Sequence, residues 1–341
     1  MIKGKFNSIK NLFLLKNYTI PMKRILCILS LMLFITACDD GNLTVDPIDF
    51  SEGAILKCSL KDILYKVQGS EMMYIEIPST YFPDDQTLTG VPIEVPLSTT
   101  IKVVYRRFVS ETSSLNICPQ APDATPNLAE QWEATDGVIQ ITSTAIKTTT
   151  ASGFVKITGY IYNINFKNIT FNKPDGPQTQ ANFPFGNYSK TVAQLSFGFD
   201  TEVDKSTCSS SDNRIFNFNA SEALILDAAD YSTLFVNAVT LPSTPRTALI
   251  SATNKLSYRL YSGSIANAYF CGTPPTSPTL IQQWDAVNGI EATSGIIEVE
   301  TTTLGAQFIH KIHLKNVTMK KGNSDFNMGP DYIFGTFVTN P

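Results

Sequence analysis

CGTPPTSPTLIQQWDAVNG, residues 271–289, has a near twin in CPQAPDATPNLAEQWEATDG, residues 118–137. In each, a cysteine opens a proline-rich run that leads to a tryptophan and then to Asn-Gly or Asp-Gly. The likeness extends well beyond the phrase. Cys58 recurs as Cys208 at an offset of 150, Ser70-Glu71 as Ser221-Glu222 at 151, and Tyr105-Arg106 as Tyr258-Arg259 at 153. Cys118 recurs as Cys271 at 153, Trp132 as Trp284 at 152, Lys167-Asn168 as Lys315-Asn316 at 148, and Phe185-Gly186 as Phe334-Gly335 at 149. A period this long is a duplicated domain, because solenoid repeats run at about 20–50 residues. The expected division is residues 47–190 for copy one and 191–341 for copy two.

Both copies are written in strand patterns. TIKVVYRRFV, GVIQITST and GIIEVETT are rich in β-branched and aromatic residues and alternate apolar with polar. YIYNINFKNITF keeps a period of two through Ile164 and Phe166, then changes phase to Ile169 and Phe171. Copy two makes the same change between Leu314 and Val317. A slip at Lys-Asn in both copies predicts a β-bulge or tight turn. The fold class expected is all-β, with two tandem antiparallel β-sandwiches.

Each repeated phrase also spells a capping box, Asn127-Leu-Ala-Glu130 and Thr279-Leu-Ile-Gln282. This predicts a short capping helix in each sandwich, with Leu128 and Trp132, or Leu280 and Trp284, stacked four apart on one face.

The N-terminal 37 residues carry six basic side chains and no acidic ones. From Met22, which reads as a start in its own right, they run Lys23-Arg24, an apolar stretch from Ile25 to Ile35, then Thr36-Ala37-Cys38. This is the order of a secretory signal peptide, residues 1–37, and its apolar stretch is too short for a membrane-spanning helix, which takes about 20 residues. Ile35-Thr36-Ala37-Cys38 resembles the lipobox of bacterial lipoproteins. With Asp39-Asp40 following, the chain is similar to surface lipoproteins of Bacteroidota-type bacteria. That resemblance implies a lipidated Cys38, a tether over residues 38–46 and an outer-membrane, cell-surface location with the membrane as a partner.

Without the signal, 20 basic side chains face 30 acidic ones, a net charge of −10 that disfavours nucleic acid as a partner. With Cys38 lipidated and Cys27 removed with the signal, four cysteines remain and allow three pairings. The duplication selects Cys58 with Cys118 and Cys208 with Cys271, one bridge per copy, in an oxidising envelope.

For chemistry the chain offers little. His310 and His313 are its two histidines, and in a strand a spacing of three sends them to opposite faces, which reads as exposed positions rather than a metal pair. Recurring acids, Glu71 with Glu222 and Glu133 with Asp285, keep a glycoside hydrolase open as an alternative. Tyr105, Arg106, Tyr258 and Arg259 are candidates for binding, and Trp132 and Trp284 would serve as sugar-stacking platforms if they faced water. No cofactor site or catalytic residue is read from the sequence. The expected function is a non-catalytic surface module for a glycan or an envelope protein, with adhesion or assembly through a sheet edge as a third reading.

Overall fold

The computed structural model describes residues 47–50, 52–200, 203–205, 213–241, 243–271 and 273–341. The signal peptide, the lipobox with Cys38, and Cys208 lie outside the described residues. No helix among the described residues is long and apolar enough to cross a membrane.

Copy one contributes β1 (Leu56–Lys57), β2 (Ile63–Gln68), β3 (Glu71–Glu76), β4 (Ile93–Pro96), β5 (Lys102–Phe108), β6 (Leu128–Thr149), β7 (Val155–Asn172) and β8 (Gln178–Thr191). They form one antiparallel, half-barrel sheet in the order β1-β2-β3-β5-β6-β7-β8, with β4 on β6. Strand β6 serves both walls: its first residues pair with β5, its later ones with β4, and β7 pairs with it from Glu133 to Thr149. The bend between the walls lies where the β6–β7 register shifts around Asp136. There Asn168 takes φ 50°. Across from it, a Cβ on Gly137 would stand 2.8 Å from the Ile169 Cα, so only glycine fits. The phase slip at Lys-Asn is therefore a bulge, and Asn316 repeats it at φ 49°.

Copy two contributes β9 (Asp204–Lys205), β10 (Arg214–Asn219), β11 (Glu222–Ala228), a one-turn helix α1 (Tyr231–Leu234), β12 (Arg246–Leu249), β13 (Asn254–Tyr261), β14 (Leu280–Ala286), β15 (Ile296–Leu304), β16 (Gln307–Lys315), β17 (Thr318–Lys321), β18 (Ser324–Asn327) and β19 (Tyr332–Thr339). The pairing repeats, but the long strands β6, β7 and β8 are here two strands each, β14 and β15, β16 and β17, and β18 and β19. Residues 287–295 part β14 from β15, and the walls become separate sheets, β18-β17-β14-β13-β11-β10-β9 and β12-β15-β16-β19.

The predicted capping helices are absent. Residues from Leu128 and from Leu280 onward are strands, β6 and β14. The carbonyls of the intended caps already accept from the segments that follow β5 and β13, Val109 N to Asn127 O at 3.0 Å and Ser262 N to Thr279 O at 2.9 Å. A helix of one or two turns is marginal alone, and a full strand partner outcompetes it. Bulges at Arg107/Phe108 and Leu260/Tyr261 then leave Leu128 and Leu280 exposed while Trp132 and Trp284 point inward.

The proline-rich phrase instead closes a second small core on the outer face of the sheet. Tyr65, Met72, Tyr74, Val104 and Phe108 are covered there by Ile117 and Cys118, and Cys58 is bonded to Cys118. Buried Asn116 holds the covering loop by donating to Asp123 O at 3.1 Å and Thr125 O at 3.0 Å. In copy two Phe216, Ile225, Tyr261, Tyr269 and Phe270 make the corresponding cluster, and Cys271 is again disulfide-bonded.

Residues Asp49–Pro341 form one compact unit, so the copies are packed together. The seam centres on Asp85, in the loop after β3. Its carboxylate accepts from Asn323 N at 3.0 Å and Ser324 Oγ at 2.7 Å in the β17–β18 turn. Gly322 takes φ 57°, and any Cβ there would run into Asp85 Oδ2. Tyr160 donates to Ser324 Oγ at 3.0 Å, and Lys147 pairs with Asp325 at 2.6 Å. Beside them Phe154 enters a ring cluster with Phe197, Phe326 and Tyr332. A crevice of about 10 Å³ at the seam, lined by Asp84, Tyr160, Trp284 and Lys321 among others, has room for a single water.

Asp85→Ala removes the acceptor of the buried Ser324 hydroxyl and leaves the exposed Asn323 N–H to water, and should lower stability by about 1–3 kcal/mol. In urea unfolding, Ser324→Ala added to it should cost clearly less than Ser324→Ala alone, since both act on one network. Replacing Cys58 and Cys118 by serine opens a loop of 60 residues and should cost about 4 kcal/mol, read as a lower thermal midpoint that reductant no longer affects at this bridge.

Candidate functional site

Reading β6 as a strand places Gln131, Glu133 and Thr135 at every second position, on the face opposite Trp132. With Ser98 and Thr99 from the β4–β5 connection, Lys102 of β5 and Asn172 of β7, they line an open groove of about 600 Å³. Its donors and acceptors are hydroxyls, amides and one loose ion pair, Lys102 to Glu133 at 3.8 Å with both side chains partly exposed. Such a pair contributes about 0–1 kcal/mol, so either partner is free to exchange it for a ligand.

At the groove's end Arg106 donates from Nε to Gln131 Oε1 at 2.8 Å, and its guanidinium lies 5.0 Å over the Tyr74 ring. This anchors the Gln131 amide. Copy two repeats the row: Arg259 Nε donates to Gln283 Oε1 at 3.1 Å, and Gln283 Nε2 to Asp285 Oδ1 at 2.9 Å.

The Tyr-Arg dipeptides do not each form one site, because neighbouring strand residues take opposite faces. Tyr105 and Tyr258 point inward and are buried. Tyr105 stacks on Trp132 at 4.4 Å, and Tyr258 on Phe197 at 4.4 Å. Burial first, and then Glu71 or Glu222 beside them, holds both hydroxyls above the ordinary tyrosine range. Glu222 is itself buried and accepts from Ser196 N at 2.7 Å, Ser196 Oγ at 2.6 Å and Phe197 N at 3.0 Å, clamping the peptide that joins the copies.

Trp132 is 3% exposed and Trp284 2%. Lys173 Nζ lies 4.8 Å over the first ring and Lys321 Nζ 4.9 Å over the second. Neither indole offers an open face to a sugar, so the tryptophans are core residues and not stacking platforms.

Both histidines are buried, against the expectation of exposed positions. They do take opposite faces of β16. His310 is fully buried between Thr301 Oγ1 and Thr339 Oγ1, each at 2.9 Å, with Phe235 and Phe337 around the ring. Burial, and then the charge of Arg246, pushes its pKa down to about 4. His313 Nδ1 meets Asp331 Oδ1 at 2.8 Å, and Asp331 also pairs with Lys315 at 2.9 Å. The alternation on β16 placed the rings on their faces, but the loop carrying Asn237 and the residues around Asp331 cover them, which strand periodicity does not reveal. No group of three His, Cys, Asp or Glu among the described residues is placed to hold a metal ion.

Neither a protein-family model, nor a curated protein, nor a solved structure matches the chain.

The groove residues Ser98, Thr99, Lys102, Gln131, Thr135 and Asn172 went unread in the sequence, because the capping-box reading of residues 127–132 hid the alternation Gln131, Glu133, Thr135.

Because His310 titrates lower in the folded chain than its ordinary value of 6.5, the unfolded chain binds the proton first. The stability that the neutral ring retains above pH 6.5 is lost as pH falls toward 4, by up to about 3 kcal/mol. In urea unfolding across that range, His310→Gln should show a shallower loss than the parent protein, and equal slopes would contradict the assignment.

Proposed function

We propose that this chain is a lipid-anchored, non-catalytic binding module of the cell surface, held to the outer membrane through Cys38, and that the groove on β5, β6 and β7 takes a glycan. The observation that carries the reading is the groove's lining. Sugar hydroxyls both donate and accept. They are matched by groups that do likewise, the hydroxyls of Ser98, Thr99 and Thr135 and the amides of Gln131 and Asn172, with Glu133 as an acceptor for adjacent diols. Most of the groove sits on paired strands, the connection that supplies Ser98 and Thr99 is closed by Ser98 N to Ile101 O at 3.0 Å, and Arg106 fixes the Gln131 amide before any ligand arrives, so little ordering remains to oppose binding.

A carboxylate-dependent glycoside hydrolase is the competing reading. It requires two acids about 5 Å or 6.5–9.5 Å apart across the bond to be cleaved. The groove lining holds one, Glu133.

The test is a glycan array probed with the chain from Asp39 onward. Binding should appear and fall at least tenfold in Gln131→Ala and in Glu133→Ala, with thermal midpoints unchanged for these exposed residues. Binding that survives both substitutions removes the groove from the proposal, and release of shortened sugars from the bound glycan replaces the binding module with the hydrolase.

A further inference from the structure

The seam between the copies uses two elements that both copies possess. STYFPDDQTL, residues 79–88, and STLFVNAVTL, residues 232–241, share an offset of 153. They are the same loop in space. Thr87 N donates to Ser143 O at 3.2 Å and Ser143 N to Thr87 Oγ1 at 3.0 Å; Thr240 N donates to Thr301 O at 3.0 Å and Thr301 N to Thr240 Oγ1 at 3.0 Å.

In copy one this loop is a receiver. Asp85 and Gln86 take the β17–β18 turn of copy two, with Gln86 Nε2 donating to Asn323 O at 3.3 Å and Asn323 Nδ2 to Gln86 O at 3.0 Å. The neighbouring β6–β7 turn joins in, Gly153 lying against Pro330.

Among the described residues, no turn is seated on the receiver of copy two. Where copy one has Pro83, Asp85 and Gln86, it has Val236, Ala238 and Val239. Val239 is 57% exposed where its counterpart Gln86 is partly buried, while Val236 and Leu241 are exposed as their copy-one counterparts Pro83 and Leu88 are. The copy-one counterpart of the inserted turn is the β7–β8 turn, Pro174-Asp175-Gly176-Pro177, and both of its prolines are exposed. Among the described residues, each chain thus has one receiver and one turn engaged with each other, and one of each not so engaged. The engaged pair is polar on both sides. The other receiver presents Val236, Ala238 and Val239 around Asn237, and the other turn presents two prolines around Asp175, so the spare receiver lacks the carboxylate that holds the engaged turn and offers an apolar rim to the prolines instead.

We propose that chains associate head to tail: the Val236, Val239 and Leu241 loop of one chain packs on the Pro174–Pro177 turn of a second copy. The contact continues the interface already present between the two copies of each chain. Because it joins unlike surfaces, it leaves a free receiver and a free turn on every assembly, and chains add in rows rather than closing as two-fold dimers.

The test is thiol crosslinking of the full chain on the surface of expressing cells with a short bis-maleimide. Val239→Cys combined with Pro177→Cys should give dimers and a ladder of higher species on a denaturing gel, at least fivefold above Val239→Cys combined with Thr149→Cys. Adding Leu241→Asp should abolish the ladder, while the thermal midpoint of the purified variant stays within a few degrees of the parent. Monomer alone, a ladder equal to the Thr149→Cys control, or one that survives Leu241→Asp overturns the proposal. So does capture of a different protein by Val239→Cys with no self-adduct.

Discussion

One extra residue sets the phase of the molecule. Opposite Arg107 and Phe108 the partner strand carries Glu130 and Leu128, so Ala129 is left over, and every side chain beyond it is turned to the other face. Trp132 goes in to meet Tyr105, while Gln131, Glu133 and Thr135 go out to make the groove. Copy two keeps the same device, with Ile281 between Leu280 and Gln282. Without that bulge the indole would stand in water and the polar row would be buried without partners.

Much of the architecture was legible because strand periodicity and duplication are properties of the sequence itself. Ile164, Phe166, Ile169 and Phe171 showed both the strand and its slip, and the repeated spacing selected Cys58 with Cys118 before any geometry was available. What failed was local chemistry read in isolation. Asn127-Leu-Ala-Glu130 is a sound start for a helix, yet its carbonyl is claimed by Val109 from across the sheet, and a long ladder of backbone bonds outweighs a single cap. That error concealed the groove, whose residues come from three strands and a connection and meet only once the register is known. The histidines show a related limit. Periodicity assigns a face, but whether a face is covered depends on distant segments such as the loop around Asn237.

The likeness of the copies also shows what each has been free to change. Lys173 and Lys321 cap equivalent tryptophans, but the first stands by the β7–β8 turn and the second is drawn into the seam, where burial lowers its pKa. Buried Asn116 anchors the covering loop of copy one through two backbone carbonyls, and copy two achieves a similar closure with Tyr269, whose hydroxyl donates to Pro278 O at 3.3 Å. The outer cores are thus solved twice with different side chains on the same pairing of strands.

The nine residues from 287 to 295 that interrupt the long strand in copy two have a mechanical meaning. In copy one β6 and β7 run unbroken through both walls, so prising open either wall pulls on the other, and the half-barrel yields as a single cooperative element. In copy two that continuity of paired strand through β14 and β15 is gone. One wall can loosen while its companion stays zipped, which makes two chemically similar halves of one chain unequal in how they give way under load.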